Sequence, residues 1–378
     1  MTTFTQLNQS PFRYDHVGSF LRPAYLLEAR HKFEAGDLSR EELTQLEDKA
    51  IIDLIHKQEE VGLKTITDGE FRRKSWHFDF FWGLQGVEQV EVEAGTQFQG
   101  QQVFATTARI VGPISGEDHP FVDHYKFTRQ HASETVDVKQ TIPAPAQFIQ
   151  EVRRDFNINF TKEVYASQED LVQDVAKAYG QVLQDLYDAG CRTVQFDDCT
   201  WGRLAGGLDY DGTPYSQEQK DQLLALYVKV NNLAISYKPE GLRINTHVCR
   251  GNFRSTWFAS GAYDTVSTPL FDQENVHAYF LEYDSDRAGG FEPLAKVSEG
   301  KHVVLGLVTS KNGQLESKED LKARIQEASQ YIDLDRLSLS PQCGFSSNEV
   351  GNELTEEDQW NKIRLIIEVA KEVWGEEA

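Results

Sequence analysis

Short apolar runs alternate with long amphipathic segments along almost the whole chain, and this rhythm constrains the fold more than any other feature. Eight runs have strand character: YDHVGSF (14–20), KTITDGEF (64–71), VKQTIPAP (138–145), RTVQFDD (192–198), LRINTHVC (242–249), AYFLEYD (278–284), HVVLGLV (302–308) and RLSLSPQCG (336–344). Between them apolar residues recur at helical spacing. Leu43, Leu46, Ala50 and Leu54 form one stripe, and Leu171, Val175, Ala178, Val182 and Leu186 a second. Leu223, Tyr227, Val230 and Ala234 form a third, and Leu321, Ile325, Ala328 and Ile332 a fourth. Ser317 with Asp320, and Thr355 with Asp358, have capping-box spacing and predict the starts of the last two helices. Such alternation is built from parallel strands joined by helical crossovers. Eight units predict an α/β fold, a closed (β/α)₈ TIM barrel. An open doubly wound sheet is the structural alternative, but no G-x-G-x-x-G follows the first run.

One stretch departs from the rhythm. Residues 85–135 are rich in Gln, Val, Thr and Gly and alternate as strands do, in VEQVEVEAG, ATTARIVG and HYKFTRQH. They predict a β-rich insertion between the second and third strands. No long linker and no repeat interrupts the chain, so residues 1–378 are expected to form one decorated barrel. The 38 Lys+Arg stand against 60 Asp+Glu, a formal net charge of −22, which disfavours a nucleic-acid backbone or an anionic membrane as partner. No apolar run approaches the ~18 residues of a membrane span, and MTTFTQLNQS lacks signal-peptide regions. Four Cys in so long a chain do not make a disulfide scaffold, and a reduced cytoplasmic setting is expected.

In a parallel barrel the chemistry sits at the carboxyl ends of the strands. His247 and Cys249 lie two apart in an extended run and therefore share a face. Glu282 and Cys343, at the same end of two other runs, would complete a set suited to tetrahedral zinc. An isolated H-x-C is weak by itself, because a His or Cys at a strand end is more often simply buried. Cys191, at the opposite end of its run, reads as a packed thiol, while Cys199 is ambiguous. Glu70, Asp197 and Asp198 fall where a substrate cation could be held; alternatively each caps a helix or pairs with an Arg such as Arg72 or Arg73. DSDR (284–287) reads as a loop with an internal ion pair.

These residues carry a resemblance. HVGSF…RP, DGEFRR, QFDDC, NTHVCRGN, LEYDSDRAG and SPQCGF occur in that order and resemble the catalytic barrel of cobalamin-independent methionine synthase. The chain is most similar to short single-barrel bacterial members, over about residues 11–375 and least within 85–135. The resemblance implies zinc held by His247, Cys249, Glu282 and Cys343. It implies that Val17, Gly18, Ser19 and Glu70 hold the amino-acid group of homocysteine, with Asp197 on its ammonium. The implied activity is zinc-dependent transfer of a methyl group to the homocysteine thiol, giving methionine. The donor would be 5-methyltetrahydrofolate (a polyglutamate) or a simpler one such as a methylated corrinoid or sulfonium. Zinc would ionise a thiol whose free pKa is near ~8.5, and Glu282 would be the ligand that moves aside.

The chain also departs from the family pattern. Longer members have two barrels, and this chain has room for one. A Gly-Pro-Val-Thr motif followed by Trp is replaced by TIPAPAQF (141–148). A D-x-H-S stretch whose His is a proton donor reads LVTSKNGQ (307–314), which puts Lys311 near the His position as a second candidate catalytic residue after Asp197. The acceptor half thus matches better than the donor half, and the −22 charge sits awkwardly with a polyglutamate. Two other readings remain: zinc–thiolate transfer with a different thiol or electrophile, as in relatives that add a thiol to an epoxide, and a non-catalytic zinc or amino-acid binder. Uroporphyrinogen decarboxylase shares the barrel type but needs no such zinc set.

Overall fold

The computed structural model describes residues 4–93, 97–98, 101–102, 105–209, 212–376 and 378; positions 94–96, 99–100 and 103–104 of the expected insertion lie outside the described residues. Seven parallel strands form one curled sheet in chain order: Thr65–Ile66, Asp137–Pro143, Thr193–Asp198, Arg243–Val248, Ala278–Glu282, His302–Val308 and Leu337–Pro341. The eighth slot is filled by the first apolar run, which makes a single parallel bridge from Tyr14 to Leu339. The Asp15 N–H donates to the Leu339 carbonyl at 3.0 Å, and the Phe20 N–H to the Gly69 carbonyl at 3.2 Å. These contacts close a TIM-like barrel. The run does not pair as a regular strand because its polar groups are committed elsewhere. The His16 N–H donates to Asp15 Oδ1 at 2.7 Å, the His16 carbonyl accepts from Lys139 Nζ at 2.5 Å, and the Gly18 carbonyl accepts from Thr67 Oγ1 at 2.6 Å. Lys139 and Asp15 form a fully buried ion pair at 3.2 Å.

The four apolar stripes become the helices Arg40–Glu60, Gln168–Asp188, Gln217–Ser236 and Lys318–Ala328. The stripes pack into the core, Leu46 and Leu223 being only half-buried, and such burial supplies most of a helix's stability in a folded protein. Thr355 and Asp358 form the expected capping box at the start of Glu356–Trp374. Ser317 accepts from the Asp320 N–H at 3.1 Å, without the reciprocal bond made at Thr355. The connections after Arg243–Val248 and after Ala278–Glu282 depart from the alternation: the first holds only the short 3₁₀ and π turns Tyr263–Thr265 and Thr268–Gln273, and the second the 3₁₀ turns Asp286–Ala288 and Glu292–Lys296. Residues 249–262 and 283–291 are thereby left as long loops over the barrel mouth.

The insertion contains an antiparallel pair, Gln85–Glu91 with Thr106–Ser115, and a two-residue pairing of 97–98 with 101–102. Its last part corrects the sequence reading: HYKFTRQH belongs to a helix, Pro120–His131. The His119 side chain caps that helix and Pro120 occupies its first turn, a start signal that outweighs the local alternation. Among the described residues no helix is long and apolar enough to cross a membrane.

Candidate active site

The four predicted ligands come together. One ligand atom each from His247, Cys249, Glu282 and Cys343 lies within 4.8 Å of all the others, and all four residues are buried. Strand register does this: His247 pairs with Phe280 on the next strand, and Glu282 with Gly306 on the one after. The sulfurs of Cys249 and Cys343 are 3.7 Å apart and not bonded as a disulfide. Two thiolates on a tetrahedral ion at ~2.3 Å each would stand ~3.8 Å apart, so the spacing fits zinc. His247 Nδ1 faces the Phe280 carbonyl at 3.2 Å. Its Nε2 and Glu282 Oε2 are buried without hydrogen-bond partners, as donors awaiting a cation would be. The Cys249 thiol is raised by its hydrogen bond with Cys199 and by burial; Cys343 is raised by its hydrogen bond with Cys249 and by burial. The two thiols stay protonated by themselves, and a divalent cation is what would ionise them.

Three of the four, His247, Cys249 and Cys343, line a cavity at the carboxyl ends of the strands, with Glu282 buried behind them. Val17, Ser19, Glu70 and Asp197 line the opposite side. Glu70 sits in the left-handed region (φ 63°), a strained backbone for a residue with a side chain and a frequent mark of functional positions. Its Oε1 accepts from Thr141 Oγ1 at 2.9 Å and lies 3.4 Å from Arg73 Nη1. Burial pushes Glu70 up to about 7 against the opposing pull of Arg73, with Asp197 adding to the rise. Asp197 accepts from Gln195 Nε2 at 2.8 Å, and burial pushes it up to about 7 as well. Gln195 Nε2 also donates to the Val17 carbonyl at 2.7 Å, so one amide orders both sides of the pocket floor. Gly18 is at φ 148°, where an added Cβ would stand 2.7 Å from Thr141 Cγ2; it shapes the floor but does not line the cavity.

Asp198 is turned the other way. Its Oδ1 accepts from the Thr200 N–H at 2.8 Å and Thr200 Oγ1 at 2.6 Å, capping the helix Thr200–Gly206. Its Oδ2 accepts from Asn231 Nδ2 at 3.1 Å, which also donates to Glu274 Oε1 at 2.7 Å. Lys311 does not line the cavity: its Nζ donates to Asn252 Oδ1 at 2.9 Å and to the Thr256 carbonyl at 3.2 Å. Asn252 in turn donates to the Gly344 carbonyl at 2.7 Å, so Lys311 ties two mouth loops to the segment carrying Cys343. Cys191 is buried, its Sγ 3.2 Å from the Thr193 carbonyl. The 284–287 loop holds its ion pair, Arg287 to Asp284 at 2.8 Å. Trp76, Ser347 and Cys199 also line the cavity. The first two were missed because they lie in loops beyond the strand ends; the aromatic character of KSWHF was the one available hint.

The family described as "Cobalamin-independent synthase, Catalytic domain" matches residues 14–372. The Bacillus subtilis protein YxjG is 44% identical over 371 residues, covering 98% of this chain and 96% of its own. A methionine synthase from Saccharolobus solfataricus is 25% identical over 334 residues, covering 87% and 86%. A crystal structure from Listeria monocytogenes, provisionally described as a vitamin-B12 independent methionine synthase, superposes with a TM-score of 0.75 at 35% identity, covering 97% of this chain and 99% of its own. Motif order, barrel and match together place the chain in the cobalamin-independent methionine synthase family, as a member of its catalytic-domain class.

Proposed function

We propose that the chain is a zinc-dependent, cytoplasmic methyltransferase that moves a methyl group to the thiol of homocysteine, giving methionine, as one barrel over residues 1–378. The observation that carries this reading is a His/Cys/Glu/Cys set of zinc dimensions, three of whose members line a cavity that two buried carboxylates also line. His247, Cys249, Glu282 and Cys343 would hold the ion, which when bound there supplies a thiolate nucleophile at neutral pH. Val17, Gly18, Ser19 and Glu70 would seat the amino-acid end. Asp197, with one oxygen fixed by Gln195, would take the ammonium on the other. A cation there favours the ionised carboxylates, so amino-acid binding releases the protons that burial retains on this pair.

Positioning is what the protein adds beyond the thiolate: a substrate anchored at Asp197 directs its sulfur across the cavity toward the cysteines. Trp76, half-buried at the mouth, offers an aromatic face to the methyl donor, either 5-methyltetrahydrofolate or a simpler carrier. Lys311 enters through the loop that it orders; to deliver a proton to the departing donor it would first release Asn252. The test is zinc stoichiometry combined with homocysteine methylation across folate, corrinoid and sulfonium donors. One zinc per chain and methionine from one donor class is the expected result. Purified protein with no zinc, or zinc-loaded protein inert with every donor, overturns the reading.

A further inference from the structure

We infer that Arg287 is the positioning residue that makes Glu282 the exchangeable member of the ligand set, by receiving its carboxylate when a substrate thiol arrives. The inference rests on the zinc–thiol reading above. Glu282 is fully buried, and its two oxygens are unlike. Oε1 accepts from the Arg250 backbone N–H at 2.8 Å. Oε2 accepts no hydrogen bond and lies 3.8 Å from Arg287 Nη2. That distance is too long for a hydrogen bond and short enough for one after a small rotation of the carboxylate about its Arg250 contact. Arg287 is itself positioned: Nη2 is 2.8 Å from Asp284 Oδ1, and the guanidinium stacks on the Trp257 ring at 4.4 Å. Its Nε is buried without a hydrogen-bond partner, so donor capacity remains.

Among the described residues nothing comparable faces the other donors. His247 is fixed through Nδ1 by the Phe280 carbonyl, and Cys249 Sγ accepts from the Gly251 N–H at 3.2 Å. A cation beside a ligating oxygen shares its electron density and weakens its hold on a metal, whereas neutral dipoles mainly orient the ligand. When a thiolate displaces the carboxylate, one anion replaces another and the thiol proton leaves to solvent. The displaced carboxylate stays buried, and an uncompensated buried charge is costly. Closing the Arg287 gap to the ~2.8 Å of a charge-assisted hydrogen bond removes that cost.

The test uses the full chain loaded with Co²⁺ and titrated with homocysteine, reading sulfur-to-cobalt charge-transfer absorption and thiol Kd. Wild type should gain absorption as a third sulfur binds. Arg287→Gln should bind cobalt at the same stoichiometry but show a thiol Kd about 10-fold higher, the scale of one charge-assisted hydrogen bond. Asp284→Asn, which loosens the same loop but retains the guanidinium, should stay within about 2-fold of wild type. An unchanged Kd in Arg287→Gln, or an equal loss in Asp284→Asn, overturns the inference. If Arg287→Gln does not fold, Arg287→Lys decides: a Kd raised several-fold supports the role, because Lys lacks the planar fork, and a wild-type Kd overturns it. Cobalt-loaded wild type with no spectral response to homocysteine would instead overturn the zinc–thiol reading itself.

Discussion

The two faces of the Thr193–Asp198 strand solve the same electrostatic problem in different ways. Inside the barrel, Asp197 and Glu70 form a buried acidic pair, each pushed up to about 7 chiefly by burial. Outside it, Asp198 and Glu274 form another, and burial pushes Glu274 up to about 8, with Asp198 adding to the rise. The outer pair is bridged by Asn231, which donates to one oxygen of each carboxylate, and Asp198 also accepts from Thr200; Glu274 Oε2 is left without a hydrogen-bond partner but does not line the cavity. The inner pair opens on a cavity and leaves an oxygen free for a ligand. A raised carboxyl pKa therefore does not mark a site here; what marks it is whether the protein supplies the compensating group or leaves that to a substrate.

The contrast can be broken at several points. The largest effect is expected at the wall facing the inner pair. Cys343→Ser should lower zinc affinity by more than the ~10–100-fold typical of an outer-shell partner, and activity should fall with it; a metal-free variant of full activity would falsify the metal reading. Next, Asp197→Asn should weaken binding of methionine, used as a thiol-free probe, by roughly 10–100-fold with zinc content unchanged. In calorimetry Asp198→Asn should remain within about 2-fold, and equal losses would erase the distinction between the faces. Asn231→Leu should reverse the pattern, costing about 1–3 kcal/mol of stability in urea unfolding while methionine binding is retained. The same outer pair also predicts a pH dependence. Glu274 has a folded pKa of about 8 against ~4.3 unfolded. Its contribution to stability is thus complete below ~4.3 and is lost as pH rises through about 8. Glu274→Gln should flatten the fall in stability between pH 5.5 and 8.5 by up to about 3 kcal/mol, and an unchanged slope would assign the pH dependence elsewhere.

The strand ends were the legible part of the sequence. His247 and Cys249 share a face by the two-residue period of a strand, and that period also requires that only one of Asp197 and Asp198 look inward. The sequence could not say which, because register decides it: Asp197 pairs with His247. The one acid of the first run, Asp15, is held by Lys139 and Ser10. Trp76 reaches the mouth through its loop's backbone, its N–H donating to the Ser347 carbonyl at 3.0 Å. Nothing in the spacing of residues 76 and 347 encodes that meeting. The helix Pro120–His131 was misread for a related reason: its start lies at His119 and Pro120, just before the residues whose alternation looked like a strand.

Gly344 has a consequence for how the protein becomes competent. A Cβ at that position would stand 1.9 Å from Ser19 Oγ, and the neighbouring Ser346 N–H donates to the same hydroxyl at 3.3 Å across 327 residues of sequence. Contacts so distant along the chain form late, because the entropy of closing the loop must be met before they contribute. Cys343, the fourth candidate ligand, sits next to this seam, so the complete donor set assembles only when the two ends of the barrel meet. Ion capture would then act as a latch on finished chains, and tight retention of metal would distinguish a closed barrel from one that is merely collapsed.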